Sequence, residues 1–277
     1  MAFITVNFMS EALMRTVTVH VVLPADKIAE PGMPEPKHTD FPALYLLHGV
    51  FGNQTDWALR TRVQRMAENS DLALIMPAGE NAFYLDQEAT HANYGDFVGR
   101  ELPEIMRRMF PLSPRREDCF IAGLSMGGYG ALRNGLKYHE TFSRIGAFSA
   151  ALVLDGIENR TNDSPLFIER RDYAEAIFGP LDKVAESDIN PLWIARRLVE
   201  SGTELPGLYL ACGTEDFLFE PNVRFRDEVR KLGCELTWDE GPYGHEWDFW
   251  NLQVEKFIDW LPLSESGTGI DSGNVGI

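Results

Sequence analysis

The sequence is poor in three features that would place it in a specialised class. It has three cysteines among 277 residues, so no disulfide framework is predicted and nothing requires an oxidising compartment. No apolar run reaches the roughly 20 residues that a membrane-spanning helix needs. Basic residues are scarce too, because 25 Lys and Arg stand against 42 Asp and Glu. The net charge of −17 argues against a nucleic-acid partner and against an anionic membrane surface.

The first eight residues, MAFITVNF, lack the basic start and the long apolar stretch of a secretory signal peptide. We therefore expect a cytoplasmic protein. A composition with 44% hydrophobic and 24% charged residues is that of a globular chain with a well-filled core. We expect a small-molecule substrate as its partner, and self-association into a homo-oligomer stays open.

The pattern of apolar residues predicts an α/β fold. Residues 3–8 and 16–23 alternate apolar and polar side chains, which is typical of antiparallel strands with one buried face. Continuous apolar runs follow and predict central parallel strands at 43–47, 72–76, 119–122, 145–148 and 208–212. Helical spacing occurs between them, at about 95–109, 126–138 and 220–232. This alternation predicts a mostly parallel sheet with helices on both faces.

Two segments depart from that rhythm. Residues 151–195 are polar, helix-prone and longer than a normal connection, so we expect a small cap or lid inserted into one domain that spans residues 1–263. Residues 264–277 are rich in Gly and Ser and predict a flexible tail.

The sequence Gly123-Leu124-Ser125-Met126-Gly127 matches the pattern G-x-S-x-G. A predicted strand precedes it and a predicted helix follows, which is the context in which this pattern holds a nucleophilic serine on a sharp turn. The flanking glycines let such a turn close without Cβ clashes. We therefore expect Ser125 to be a catalytic nucleophile.

A histidine base and a carboxylate are expected further along the chain. His245 lies in the glycine-flanked sequence GPYGHEW, after a predicted strand at 235–239 and before the last helix. Asp216 follows a buried strand at the same sheet edge and precedes a helix. The order serine, acid, histidine is the one found with this serine motif. Glu215 and Asp248 stay open as alternative acids.

The loop His48-Gly49-Val50-Phe51 follows the strand at 43–47. Such a turn can direct a backbone N–H at a substrate carbonyl, and together with the N–H of Met126 it would form an oxyanion hole. We choose Val50 as the loop donor and expect His48 to orient the loop. We expect no cofactor and no metal, because HExxH-type spacing is absent.

Together these motifs resemble the esterase D / tributyrin esterase family of α/β hydrolases, which includes S-formylglutathione hydrolases and some feruloyl and acetyl-xylan esterases. The segments that carry the resemblance are LYLLHGVFGN (44–53) with Trp57, MPAGENAFYLD (76–86), AGLSMGGYGAL (122–132), CGTEDFLFEPN (212–222) and GPYGHEWDFW (241–250). The resemblance implies the α/β-hydrolase fold, the triad Ser125, Asp216 and His245, and an oxyanion hole from Val50 and Met126. We further expect Phe51 and Trp57 to contact the substrate.

These features predict a serine carboxylesterase that cleaves short-chain acyl esters through an acyl-enzyme on Ser125. Acetyl and feruloyl esters of carbohydrates are candidate substrates. The alternatives are a thioesterase of the S-formylglutathione hydrolase type, an acyltransferase, and a non-enzymatic binding module. An intact set of serine, acid and histidine argues against the last of these.

Overall fold

In the computed structural model, which describes residues 1–29, 32, 39–263 and 270, eight strands form one sheet. The strands are β1 Ala2–Ser10, β2 Arg15–Leu23, β3 Ala43–Leu47, β4 Ala73–Pro77, β5 Cys119–Leu124, β6 Arg144–Phe148, β7 Gly207–Gly213 and β8 Thr237–Gly241. Their order across the sheet is β1-β2-β4-β3-β5-β6-β7-β8. β2 runs antiparallel to β1 and β4, and the remaining neighbours are parallel. The predicted mostly parallel sheet is thus present.

Helices cover both faces of this sheet. They are α1 Asp56–Arg60, α2 Val63–Asn69, α3 Tyr94–Asp96, α4 Leu102–Met109, α5 Met126–Lys137, α6 Arg171–Phe178, α7 Pro191–Glu200, α8 Phe219–Lys231 and α9 Trp247–Trp260. Side chains of α1, α2 and α9 form one apolar core, and those of α4, α5, α7 and α8 form the other. The central strands are buried on both faces, which explains their continuous apolar runs.

The helix predicted at about 95–109 has an irregular centre. α3 leads through a π-helical turn, Phe97–Glu101, into α4. Glu101 in that turn is buried, and its carboxylate accepts hydrogen bonds from Ser10 Oγ at 2.6 Å and from the N–H of Glu11 at 2.6 Å. The turn therefore anchors the β1–β2 hairpin, a long-range contact that helical periodicity does not reveal.

The predicted insertion consists of short elements. Residues 151–195 contain short 3-10 helices of three to six residues, α6 and the start of α7. The predicted tail lies outside the described residues, except that Ile270 forms an antiparallel bridge with Ile28. No helix in the described part of the chain is long and apolar enough to cross a membrane.

Candidate active site

The serine of the G-x-S-x-G motif lies at a sharp turn between β5 and α5. Ser125 has φ 53° and ψ −119°, a backbone conformation that residues with a side chain rarely adopt. The turn closes because its neighbours are glycines: a Cβ atom on Gly123 would collide with Gly127, and one on Gly127 would collide with the carbonyl of Leu47. The sequence around Ser125 thus permits a strained conformation that presents the hydroxyl at the sheet edge.

Two hydrogen bonds join three side chains that lie far apart in the sequence. His245 Nε2 is 3.0 Å from Ser125 Oγ, and His245 Nδ1 is 2.9 Å from Asp216 Oδ2. Because an ionised carboxylate only accepts hydrogen bonds, the proton of a neutral His245 lies on Nδ1. Nε2 then has a lone pair available for the serine proton. The structure therefore brings together the three residues expected to form a triad.

The charge of Asp216 is held by its surroundings. Burial would raise the pKa of Asp216, but hydrogen bonds from His245 and from the N–H of Leu218 outweigh this effect and hold the pKa below its ordinary value. The Leu218 contact measures 2.8 Å. Asp216 consequently remains a carboxylate at neutral pH, as an acceptor for the histidine requires.

The two alternative acids point elsewhere. Glu215 is exposed. Its backbone N–H donates a hydrogen bond to the carbonyl of Tyr243. Asp248 is exposed in the first turn of α9, where a carboxylate complements the helix dipole. Among the described carboxylates, only Asp216 lies within 4.0 Å of a nitrogen of His245.

Two aromatic rings hold the imidazole between them. Phe217 and Trp250 each have a ring centroid 4.8 Å from that of His245. Phe217 is 75% exposed and covers the outer side, whereas Trp250 is buried and donates its indole N–H to Ser149 Oγ at 3.2 Å. Packing on both sides restricts rotation of the ring and keeps Nε2 directed at Ser125.

Ser149 is a part of the site that sequence analysis missed. It is buried directly after β6 with φ 47°, and its hydroxyl bonds to Asp216 and so helps to lower the pKa of that carboxyl. β6 pairs with β5, the strand that ends at the nucleophile. The position just after a neighbouring parallel strand was the available signal for this residue.

The loop after β3 is organised by His48. The ring is buried; Nδ1 is 2.7 Å from the carbonyl oxygen of Gly49, and Nε2 accepts the N–H of Gly79 at 2.8 Å. Since Nε2 accepts, Nδ1 must carry the proton. Burial lowers the pKa of His48, which favours this neutral form. His48 thus ties the loop to the segment after β4, in agreement with its expected orienting role.

The same loop passes beside the nucleophile. A Cβ atom on Gly49 would lie 3.4 Å from Cβ of Ser125. Val50 lines the cavity in front of Ser125, and Met126 is the first residue of α5, where a backbone N–H has no partner within the helix. Both positions are compatible with donors to an oxyanion, and that role stays a prediction.

The two expected substrate contacts differ in their surroundings. Phe51 is 65% exposed, lines the cavity, and packs edge-on against Phe167 with centroids 6.0 Å apart. Trp57 does not line the cavity, so its expected substrate contact is corrected. Its indole is 1% exposed and donates to the carbonyl of Leu47 at 3.0 Å. The short helix α1 turns this side chain inward, where it supports the end of β3.

A cavity of about 510 Å³ opens in front of the serine. One wall comes from the ends of the strands and includes Ser125 and His245. The other wall comes from the predicted insertion, which contributes Ala151, Val153, Arg160, Leu166, Ile168 and Glu169. Trp247 and Trp250, at the start of α9, also line the cavity. Both pack against the apolar core as well.

No group of three or more His, Cys, Asp or Glu side chains within the described ranges is arranged to hold a metal ion. The chemistry available from the described residues is that of a polarised serine hydroxyl, a histidine that can accept and return a proton, and adjacent backbone N–H groups.

Comparison with known proteins finds matches along most of the chain. The model of a family described as "Putative esterase" matches residues 10–253. An acetyl esterase of Caldicellulosiruptor saccharolyticus is 36% identical over 261 residues, which cover 94% of this chain and 98% of that protein.

Solved structures show the same similarity. The fluorophosphonate-binding serine hydrolase F of Staphylococcus aureus is 27% identical, with a TM-score of 0.81 and coverage of 94% of this chain and 98% of that one. The S-formylglutathione hydrolase of Staphylococcus aureus is likewise 27% identical, with a TM-score of 0.79 and the same coverage.

Proposed function

The chain belongs to the esterase family, and from that premise we propose that it hydrolyses acetyl and other short-chain acyl esters through an acyl-enzyme on Ser125. It has the α/β-hydrolase fold and is a serine hydrolase acting on carboxylic esters. The observation that carries the proposal is the hydrogen-bonded path from Ser125 Oγ through His245 to Asp216, at the wall of a cavity.

The first half of the reaction forms the acyl-enzyme. Ser125 Oγ attacks the ester carbonyl carbon while its proton moves to His245 Nε2. The carbonyl oxygen becomes an oxyanion, which the N–H groups of Val50 and Met126 stabilise. Asp216 stabilises the imidazolium formed on His245. The tetrahedral intermediate then collapses, and His245 returns the proton to the departing alcohol.

The second half repeats these steps with water. His245 takes a proton from water as the water oxygen attacks the acyl carbon, and the resulting intermediate expels Ser125 Oγ, which regains its proton. The released acid and alcohol together account for the ester and one water. No step needs a metal or an organic cofactor.

The proposal of an acetyl substrate has two supports. The curated relative that is 36% identical is an acetyl esterase. In addition, residues 151–195 form a wall of the cavity, and we expect this wall to restrict the length of the acyl chain. A cleft of this size nevertheless leaves most of its volume for the alcohol portion of the substrate.

A thioesterase activity is a second candidate, because a structure 27% identical to the chain is an S-formylglutathione hydrolase. The same oxyanion chemistry serves thioesters, with a thiol as leaving group. Feruloyl esters, acyl transfer to an alcohol, self-association and a cytoplasmic location stay predictions from the sequence, as does the expectation of no nucleic-acid or membrane partner.

The experiment measures kcat/KM for p-nitrophenyl esters from acetyl to palmitoyl, beside S-formylglutathione and methyl ferulate. We expect the highest values from acetyl to butyryl and a fall of at least about tenfold by the octanoyl ester, because a longer acyl chain would have to push against the wall from residues 151–195, and overpacking costs about 1–3 kcal/mol. Efficient turnover of the palmitoyl ester would contradict the proposal. A kcat/KM for S-formylglutathione far above every oxygen ester would replace it with the thioesterase.

A further inference from the structure

Two arginines line the cavity, and only one of them has a carboxylate partner among the described residues. Arg60 lies 3.9 Å from the carboxylate of Asp56, and its guanidinium sits over the ring of Trp247 at 5.6 Å. Arg160 belongs to the opposite wall, built by residues 151–195. It forms no ion pair within 4.0 Å with any residue that the structure describes.

Arg160 is nevertheless held in place. It donates one hydrogen bond to the carbonyl of Ile168 at 3.1 Å and one to the carbonyl of Val153 at 3.3 Å. A guanidinium has five N–H donors in a rigid planar fork, so three donors remain after these contacts. The two carbonyls fix the plane of the fork without neutralising its charge. A planar acceptor with two oxygens, such as a carboxylate, is the partner that this geometry fits best.

The position also removes part of the hydration of the charge. Burial lowers the pKa of Arg160, and attraction to Glu169 only partly offsets that effect. The group nonetheless stays protonated at neutral pH, because arginine starts from a very high pKa. A half-buried cation without a counter-ion gains more from an anionic ligand than a hydrated surface cation does.

Glu169 lines the same wall of the cavity as Arg160, and its charge acts to raise the pKa of that arginine. Its Oε2 accepts a hydrogen bond from Ser164 Oγ at 2.6 Å, and it lies beyond ion-pair distance of Arg160. Glu169 therefore weakens, without occupying, the site for an anion at Arg160. Removing its charge should strengthen anion binding, whereas removing the charge of Arg160 should abolish it.

We infer that Arg160 binds a carboxylate on the alcohol portion of the substrate, which makes acetyl esters of carboxylate-bearing alcohols the preferred substrate class. The inference rests on the proposed function, because an acetyl group carries no charge and the anion must belong to the alcohol. The size of the cavity agrees: about 510 Å³ is in the range of pockets for drug-sized ligands, far more than the three non-hydrogen atoms of an acetyl group need.

The test compares two acetates that differ in one charge, 4-acetoxybenzoate and its methyl ester. Each kcat/KM is divided by the rate constant for hydroxide-catalysed hydrolysis, which corrects for the different leaving groups. We expect wild type to prefer the anionic acetate by about tenfold or more, the usual size of a charge-assisted contact. Arg160→Gln should reduce this ratio to about one and should change the neutral acetate much less.

Three further variants sharpen the result. Glu169→Gln should raise the ratio above that of wild type, because it removes the nearby negative charge. Arg160→Lys should retain part of the preference, since it keeps the charge but not the planar fork. Arg170→Gln is the matched control: it removes one positive charge from the same segment, where Arg170 pairs with Asp172 outside the cavity, and should leave the ratio unchanged.

The preference of the wild type for the anionic acetate tests the inference even if Arg160→Gln fails to fold. A wild-type ratio near one would overturn the role of Arg160 while turnover of both acetates upholds the proposed function. A preference that survives in folded Arg160→Gln, or disappears in Arg170→Gln, would overturn it as well. Failure of wild type to hydrolyse either acetate would remove the proposed function and this inference with it.

Discussion

The two walls of the cavity are built in different ways. On the strand-end wall, Ser125 is 6% exposed and is fixed by the close approach of the glycines around it. Asp216, which is joined to this wall through His245, is 5% exposed and is fixed by hydrogen bonds. On the wall from residues 151–195, Leu166 is 40% exposed and lies beside a single turn of 3-10 helix, Phe167–Glu169. The comparison indicates that one wall determines whether an ester is cleaved and the other determines which ester is bound.

The two walls also differ in what the loss of a contact would cost the enzyme. A shift of the serine relative to the imidazole would break the path of proton transfer, so the strand-end wall must be rigid. The opposite wall contributes contact area and one unpaired cation, and losing one such contact costs binding without stopping the chemistry. Substitutions on the two walls should therefore affect different kinetic constants.

The largest effect is expected from Ser125→Ala, which removes the nucleophile. We expect kcat on p-nitrophenyl acetate to fall by about 10⁶-fold, as in other serine hydrolases that lose this oxygen. Ser187→Ala is the matched control on the opposite segment, where the hydroxyl donates to the carbonyl of Val184 and accepts the N–H of Ile189, and it should retain wild-type kcat. A Ser125→Ala variant with substantial turnover would refute the acyl-enzyme.

Asp216→Asn should come next, with a loss of about 10⁴-fold in kcat, because the amide no longer enforces the reactive tautomer of His245. Glu215→Gln and Asp248→Asn are the controls, and each should cost under about tenfold since both carboxylates are exposed. Circular dichroism checks that all three fold. Collapse of either control with a near-normal Asp216→Asn would identify a different acid.

His48→Ala tests whether loop position matters apart from the triad. It removes the hydrogen bonds to the carbonyl of Gly49 and from the N–H of Gly79. If the loop supplies an oxyanion donor, kcat should fall by about 10²-fold, the usual cost of losing one such donor. KM should change little. A rise in KM alone would show that the loop contributes only to substrate binding.

Phe167→Ala should show the opposite kinetic pattern. The ring does not line the cavity itself, but it packs against Phe51, which does, and against Tyr173, with centroids 6.0 and 5.2 Å away. We expect KM for aryl acetates to rise by roughly three- to tenfold because Phe51 loses its packing partner and offers the substrate a less ordered apolar surface, with kcat within about twofold of wild type. A fall in kcat as large as that of His48→Ala would contradict the conclusion that the two walls affect different kinetic constants.

Trp57→Phe should have the smallest kinetic effect. The indole N–H bonds to the carbonyl of Leu47, and the ring packs against Phe148 and Trp247 in the core. Loss of this buried hydrogen bond should lower the free energy of unfolding by about 1–3 kcal/mol, with KM unchanged. Urea unfolding and steady-state kinetics measure both. A change in KM without a change in stability would restore a substrate contact for Trp57.

Local patterns in the sequence predict the strand-end wall well. The apolar runs locate β3 to β7 to within about two residues, and the glycines around Ser125 mark the turn. The topology then places the residues after parallel strands at one edge, which is why Ser125, Asp216 and His245 could be chosen from their order.

The opposite wall is less predictable because its contacts join segments distant in the sequence. Nothing near Arg160 in the sequence signals that its guanidinium would reach two carbonyls or that the residue would line a cavity. Trp57 was misassigned for a similar reason, since a Trp beside a catalytic loop fits either a binding surface or a core. Ser149 and Phe217 gain their roles only through contact with Asp216 and His245, which folding brings to them.

The most direct test of the account is the site of labelling by a fluorophosphonate probe in folded protein, located by peptide mass spectrometry. We expect one adduct, on Ser125, because it has the only hydroxyl among the described residues that is both hydrogen-bonded to His245 and part of the cavity lining. Unfolding the protein or replacing Asp216 with Asn should strongly reduce labelling. An adduct on another serine, or labelling of Ser125 that persists after unfolding, would contradict the triad.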